Sequence, residues 1–318
     1  MIEYIAALAP AAVLLVLIYK VDTADKEPWG LIAKVFILGV VCAMIACFLE
    51  LVVGAALDGI VAAESFVGTL IGVALIEELC KLWAAYTTTW KNPNFNYVFD
   101  GVVYCAAAAI GFAAIENVTY VVGAENAMEI AALRAVLSVP GHMCDGILMG
   151  IFFGWARYYK AVGNTSKKRT FLVLSVVAPL IEHGVYDFTA GLGTEDSGLF
   201  LLLWVLIVYI ICFAIVLRSR GAHDVRIPGV YSPKEQAKMQ QEAAGGEVQE
   251  SAPEAGAEGF AAAAAQAPAG QTASAQQPVS AGQTAPVEEA VPQQPAVSED
   301  GNWINPVAQR AMESKDVH

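Results

Sequence analysis

Residues 74–85 read ALIEELCKLWAA, in the middle of an apolar run from Phe66 to Thr88. A run of that length and composition crosses a membrane, since about 20 apolar residues span the hydrocarbon core. Yet this one holds Glu77, Glu78 and Lys81. A charge at the centre of a span costs roughly 2.5–3.5 kcal/mol on insertion scales. Its retention there points to function, or to partners inside a bundle.

The rest of the chain supports the membrane reading. Of 318 residues, 57% are hydrophobic and 15% charged, a balance outside the range of soluble globular domains; mean hydropathy is positive. Seven spans are expected, at 2–19, 35–57, 66–88, 98–122, 134–156, 171–193 and 198–217. The fold class is therefore an all-α polytopic membrane protein, a bundle of about seven transmembrane helices. The opening MIEYIAALAP lacks the basic region of a cleavable secretory signal and reads as an uncleaved first span. No lipidation signal is expected, since Ile2 stands where myristoylation needs glycine and the C-terminal KDVH has no cysteine.

Loop charges set an orientation. Basic residues follow the first, third, fifth and seventh spans: Lys20 and Lys26, Lys91, then Arg157 through Arg169, then Arg218 and Arg220. Acidic residues follow the others: Asp58 and Glu64, Glu125 and Glu129, Glu195 and Asp196. Basic loops mark the cytoplasmic side, so the N-terminus is expected outside and the C-terminus inside. Composition then changes near Gly221. Residues 221–318 are rich in Ala, Gln, Pro and Glu and poor in aromatics, so they are expected to be a disordered cytoplasmic tail behind a 1–220 membrane domain. The tail contributes much of the net charge of −13. Its last part, NWINPVAQRAM, is a candidate docking motif for a cytoplasmic partner; no nucleic-acid partner is expected.

Polar residues recur in four spans. Lys81 lies three and four residues after Glu78 and Glu77, close enough on a helix to neutralise either. The two carboxylates diverge by about 100° on a helix of ~3.6 residues per turn, so they do not face one site equally. The stretch FDGVVYCAAAAIGFAAIENVTY holds Asp100 near one end, and Glu116 and Asn117 near the other. Its small residues Ala107, Gly111 and Ala114 suit close helix packing. In RAVLSVPGHMCDG, Arg134, Ser138, His142 and Asp145 are expected on one helix face. In APLIEHGVYD, His183 and Asp187 lie one turn apart. A carboxylate one turn from an imidazole can hold its tautomer. Pro140 and Pro179 precede the two histidines and loosen the helices there. The other two histidines, His223 and His318, fall in the tail. The six cysteines, Cys42, Cys47, Cys80, Cys105, Cys144 and Cys212, all lie in spans without metal-ligand spacing and read as small apolar fillers.

Two histidines and a glutamate can activate water, with the carboxylate as general base and a further donor stabilising an oxyanion. The same residue types form a hydrolytic zinc set, although no HExxH is present. The ordered motifs EELCK, FDGVVYCAAAAIGFAAIEN, the GH at 141–142 and EHGVYD resemble those of the PrsW intramembrane proteases. That family is similar to the type II CAAX prenyl endopeptidases and their bacterial relatives. The resemblance covers about residues 1–220. It implies a bacterial cytoplasmic-membrane endopeptidase that acts on a single-span or membrane-associated protein, an anti-sigma factor being the class associated with the family. It further implies water activation by Glu77 and His142, pairing of Glu78 with Lys81, and an oxyanion side lined by His183 and Asp187. Lys81 stands where the CAAX group has arginine after EExxx, and Asp187 where some relatives have asparagine, which assigns Asp187 to orienting His183. Glu77, Glu78, His142 and His183 are thus the expected catalytic set, supported by Lys81, Asp100, Glu116, Asn117, Asp145 and Asp187. No cofactor is expected in the preferred reading. The alternative is Zn²⁺ held by Glu77, His142 and His183, since some classifications treat the family as metalloproteases. Readings from other classes are a proton-coupled transporter and a catalytically silent scaffold. The absence of an internal repeat argues against the first.

Overall fold

The computed structural model describes residues 1–247. The chain runs α1 (Ile2–Val21), α2 (Trp29–Leu57), α3 (Phe66–Thr69), a π-helical turn (Leu70–Ala74), α4 (Leu75–Thr89), α5 (Val98–Val121), α6 (Ala127–Val136), α7 (Ser138–Ala161), α8 (Thr165–Leu192), α9 (Glu195–Ser219) and α10 (Pro233–Glu247). Among the described residues, six spans are long and apolar enough to cross a membrane: α1, α2, α5, α6 with α7, α8 and α9. The segment Phe66–Thr89, expected as a further span, is not among these six; it carries Glu77, Glu78 and Lys81.

The bundle is organised around α5. Its most apolar stretch is 94% buried, against 17% for α1 and α9. Small residues explain the close packing. A Cβ on Gly146 would come within 2.6 Å of the Ala106 Cα, and one on Gly101 within 2.6 Å of the Gly150 carbonyl oxygen. Glycines at 146, 150 and 154 therefore let the α7 backbone lie directly on α5, the close approach that small residues permit in membranes. Gly39 of α2 and Gly111 of α5 do the same for that pair. The outer surface is apolar: Leu199, Leu203, Phe213 and Phe48 are exposed. Polar groups are turned inward, as a bilayer demands.

The structure corrects two helix expectations. Residues 66–88 do not form one regular helix, because a π turn intervenes at Leu70–Ala74, immediately before the glutamate pair. π-Bulges add a residue to a turn and re-aim the side chains of the next one, and they recur at functional sites. The expected 134–156 helix is likewise broken at Leu137, whose φ of −105° and ψ of −64° separate α6 from α7. Pro140 removes the N–H that would have bonded the Val136 carbonyl. The Tyr209 hydroxyl donates to that carbonyl oxygen at 2.6 Å instead.

The chain continues in ordered contact beyond the expected boundary at 220. The segment after α9 turns back onto the start of α5. Val98 N–H donates to the Val225 carbonyl at 2.9 Å, Ile227 N–H to the Asn96 carbonyl at 2.7 Å, and Phe99 N–H to Asp224 at 3.0 Å. Ile227 is fully buried. Arg226 clasps Glu235 at the start of α10 through both guanidinium nitrogens, at 2.6 and 2.8 Å. Residues 248–318, with the remainder of the expected tail and its NWINPVAQRAM segment, lie outside the described residues.

Candidate active site

Three segments bring the polar residues together. The π turn and the first turn of α4 aim Glu77 and Glu78 inward; α7 brings His142, and α8 brings His183. Gly184 of α8 lies against the Leu70 side chain of the π turn. The imidazoles of His142 and His183 sit edge to face with centroids 5.3 Å apart. One ligand-type atom from each of Glu77, His142 and His183 lies within 4.8 Å of the others, and so does one from each of Glu78, Asp145 and His183.

Lys81 is the positive centre of this cluster and is fully buried. Its ammonium donates to Glu78 Oε1 at 2.6 Å and to His142 Nδ1 at 3.0 Å. It lies 3.2 Å from Glu77 Oε2 and 4.7 Å above the Phe112 ring. An ammonium can only donate, so Nδ1 of His142 accepts, and the ring proton sits on Nε2. Nε2 is 2.6 Å from Glu116 Oε2. Glu116 also meets Arg134 at 3.0 Å. The carboxylate that holds His142 therefore comes from α5 rather than from its own helix: Asp145, one turn away, is 3.6 Å off.

His183 lies between two carboxylates, with Nδ1 2.8 Å from Glu78 Oε1 and Nε2 3.2 Å from Asp187 Oδ2. Asp187 thus stands where an orienting residue would. Glu78 Oε1 accepts from Lys81 at 2.6 Å and His183 at 2.8 Å, whereas Glu77 Oε2 meets Lys81 at 3.2 Å and His183 at 3.8 Å. The adjacent glutamates are thus held unequally: Glu78 is bonded tightly, and Glu77 lines the cavity.

Other expected residues fall elsewhere. Asn117 accepts from Arg134 Nε at 2.7 Å and donates to the Ala7 carbonyl at 2.7 Å, which ties α1, α5 and α6 together. Asp100 is not part of the cluster. It starts α5, sixteen residues before Glu116, a separation of roughly 24 Å at 1.5 Å rise per residue. There it accepts from the Asn96 and Tyr97 N–H groups. Arg134 reaches the site from α6, across the break, rather than from the His142 helix.

The cluster opens into a cavity of about 1020 Å³. Its wall includes Glu77, His142, Asp145 and His183, with Phe112, Ile115 and Val73 as apolar lining. Two carboxylates not singled out in the sequence also line it, Glu50 of α2 and Glu182 of α8. Adjacency to His183 signals Glu182. Glu50 is the one carboxylate of a 29-residue helix, and that solitude was the available cue.

The donor set suits a divalent metal in kind and spacing. Two imidazoles and a carboxylate are a known hydrolytic set, and here one ligand-type atom from each lies within 4.8 Å of the others. In the geometry at hand, Lys81 supplies the positive charge.

Comparison with known proteins identifies the chain's relatives. A family model described as PrsW family intramembrane metalloprotease matches residues 27–217. A protein called Protease PrsW from Geobacillus kaustophilus is 32% identical over 231 residues, covering 71% of this chain and 96% of the relative. The protein of that name from Oceanobacillus iheyensis is 33% identical over 209 residues, covering 64% and 92%. The one from Bacillus subtilis is 33% identical over 184 residues, covering 58% and 80%. No solved structure matches the chain.

Proposed function

The chain belongs to the PrsW family of intramembrane metalloproteases, and on that premise we propose that it hydrolyses a peptide bond of a membrane-associated protein at the Glu77–His142–His183 cluster. The observation that carries this reading is the convergence of those three side chains, from three segments, on one small volume at the wall of a large cavity. The cavity receives the peptide, and its apolar lining excludes bulk water around the reacting bond.

Each residue has a definable task. Glu77, at the cavity wall, takes the proton of the attacking water. Glu116 keeps the His142 proton on Nε2, which leaves Nδ1 facing the cluster. Glu78 and Asp187 engage both ring nitrogens of His183 and hold the imidazole in place beside Glu77. Lys81 neutralises Glu78 and holds the pair apart. The residues that would hold a metal are Glu77, His142 and His183, and Zn²⁺ there would supply Lewis-acid polarisation. The family's description as metalloproteases favours this version. A metal-free version is favoured by the position of Lys81, already within 3.2 Å of Glu77 and 3.0 Å of His142.

The loop charges support an orientation with the N-terminus outside and the C-terminus in the cytoplasm of a bacterium. On that orientation the cavity mouth, near the ends of α5 and α8, faces outward. The substrate class we propose is a single-span protein, a membrane-anchored anti-sigma factor being the class the family resemblance implies. The decisive experiment incubates detergent-purified protein with single-span substrates, with and without a strong chelator, and sequences the products. Cleavage lost on chelation and restored by Zn²⁺ supports the metal version. Cleavage that survives chelation supports the metal-free one. Absence of any cleavage by folded protein overturns the proposed site.

A further inference from the structure

The 29-residue helix α2 carries a single carboxylate, Glu50, and the proposed mechanism gives it no role. An ionisable group inside a span is costly, and its retention there calls for a partner or a function. Among the described residues, no side chain makes a hydrogen bond or ion pair with it. The groups around it are already engaged: Arg134 with Glu116 at 3.0 Å, Asp187 with His183 at 3.2 Å, Glu77 with Lys81 at 3.2 Å.

Its direction is defined. Ala43, Cys47 and Glu50 recur at helical spacing and line the same cavity as Glu77, His142 and His183. Its chain neighbours Leu49 and Leu51 are turned outward, 38% and 70% exposed. Glu50 shares the cavity wall with Tyr120, Ala190 and Gly191, residues at the ends of α5 and α8. Arg134 is the one lysine or arginine among the described residues that line the cavity, and Glu116 holds it.

A half-buried carboxylate without a counter-charge, facing the space a peptide fills, has one complementary chemistry. We propose that Glu50 is a specificity determinant that receives a lysine or arginine side chain of the substrate, close to the scissile bond. The inference rests on the proteolytic reading of the cluster. A cationic side chain brought against Glu50 forms its ion pair away from bulk water, where the attraction exceeds that in solvent. A neutral peptide leaves Glu50 unpaired, and an acidic one is repelled. Discrimination of this kind comes from the group left unsatisfied by the wrong substrate.

The test uses full-length protein in detergent and a set of single-span peptides that differ at one residue. Lysine, glutamine or glutamate is placed in turn at each residue flanking the scissile bond. At one of these, wild-type protein is expected to cut the lysine peptide with a kcat/KM about ten- to a hundredfold above the glutamine peptide, the range of a hydrogen bond to a charged group. Glu50→Gln, close to isosteric, should bring that ratio to about one. Glu50→Lys should invert the order and favour glutamate. Equal cleavage of all peptides by the wild type overturns the inference, and so does a lysine preference that survives Glu50→Gln. Both outcomes leave proteolysis intact. Failure of the wild type to cut any peptide overturns the proteolytic reading together with the inference.

Discussion

The ammonium of Lys81 lies 3.0 Å from Nδ1 of His142, a residue on another helix, while also binding Glu78 at 2.6 Å. One buried cation thus joins the glutamate pair to the first histidine. Removing it leaves carboxylates without counter-charge in a dry interior. Breaking a buried pair in this way costs roughly 3–5 kcal/mol. Lys81→Met is expected to lower the thermal midpoint and the folded yield sharply. Glu78→Gln combined with Lys81→Met should recover part of the loss, because the unpaired charge is gone. A thermal scan of the two variants in detergent checks this, and an unchanged midpoint for Lys81→Met would refute it.

Glu77 and Glu78 should respond differently to the same substitution. Glu77→Gln keeps the shape but takes no proton, so cleavage should fall about 10²–10⁴-fold at unchanged protein level. Glu78→Gln removes the acceptor of both Lys81 and His183, so its effect should appear first as lost stability, with some turnover retained per folded molecule. Rates normalised to the folded fraction separate the two. A stable, inactive Glu78→Gln beside an active Glu77→Gln would exchange their roles.

Glu116 should tune His142 through its direct contact with Nε2 at 2.6 Å. Loss of a partner of this kind typically costs 10–100-fold in metal affinity or activity. Glu116→Gln is expected to fall in that range without unfolding the bundle. If the metal version holds, zinc content by elemental analysis should fall with it, whereas activity lost at a constant, metal-free composition points to the other version. Wild-type activity in Glu116→Gln would remove the residue from the site.

Helix contact predicts an asymmetry among glycines. Gly146→Val forces a side chain into the α5 backbone at Ala106 and should abolish folded, monodisperse protein. Gly54 lies in open space within α2, so Gly54→Ala should be neutral or stabilising by about 0.4–1 kcal/mol. Fluorescence-detected gel filtration and thermal scans report both. Equal tolerance of the two would contradict the α5–α7 contact.

The turn between α1 and α2 and the segment after α9 carry carboxyls whose ionisation burial opposes. Burial pushes Asp22 up to about 6, Glu27 to about 8 and Asp224 to about 7. The folded state then binds more protons than the unfolded chain between about pH 4 and 8, so stability falls as pH rises through that window. Protection factors of the 225–227 amides, corrected for intrinsic exchange, should fall between pH 6 and 8. Asp224→Asn should flatten the profile. Protection that rises with pH would show the sign to be wrong.

Much of this protein is legible in its sequence. Apolar length depends only on composition along the chain, so the spans over α1, α2, α5, α8 and α9 are identifiable from local residues, to within a few positions at most ends. Pairing within a turn is equally local: helical spacing puts Lys81 within reach of both Glu77 and Glu78, and Asp187 within reach of His183. Sequence was silent where one helix meets another. The π turn before Glu77, the break at Leu137, and the choice of Glu116 over Asp145 as the partner of His142 all depend on contacts between distant segments. So does the removal of Asp100 from the site. The strand-like return of Val225 and Ile227 onto Asn96 and Val98 is hidden inside a stretch whose composition reads as tail. Helix periodicity determines which residues share a face, but only packing, here the glycine contacts of α5 with α7 and of α8 with the π turn, decides which faces meet and at what distance.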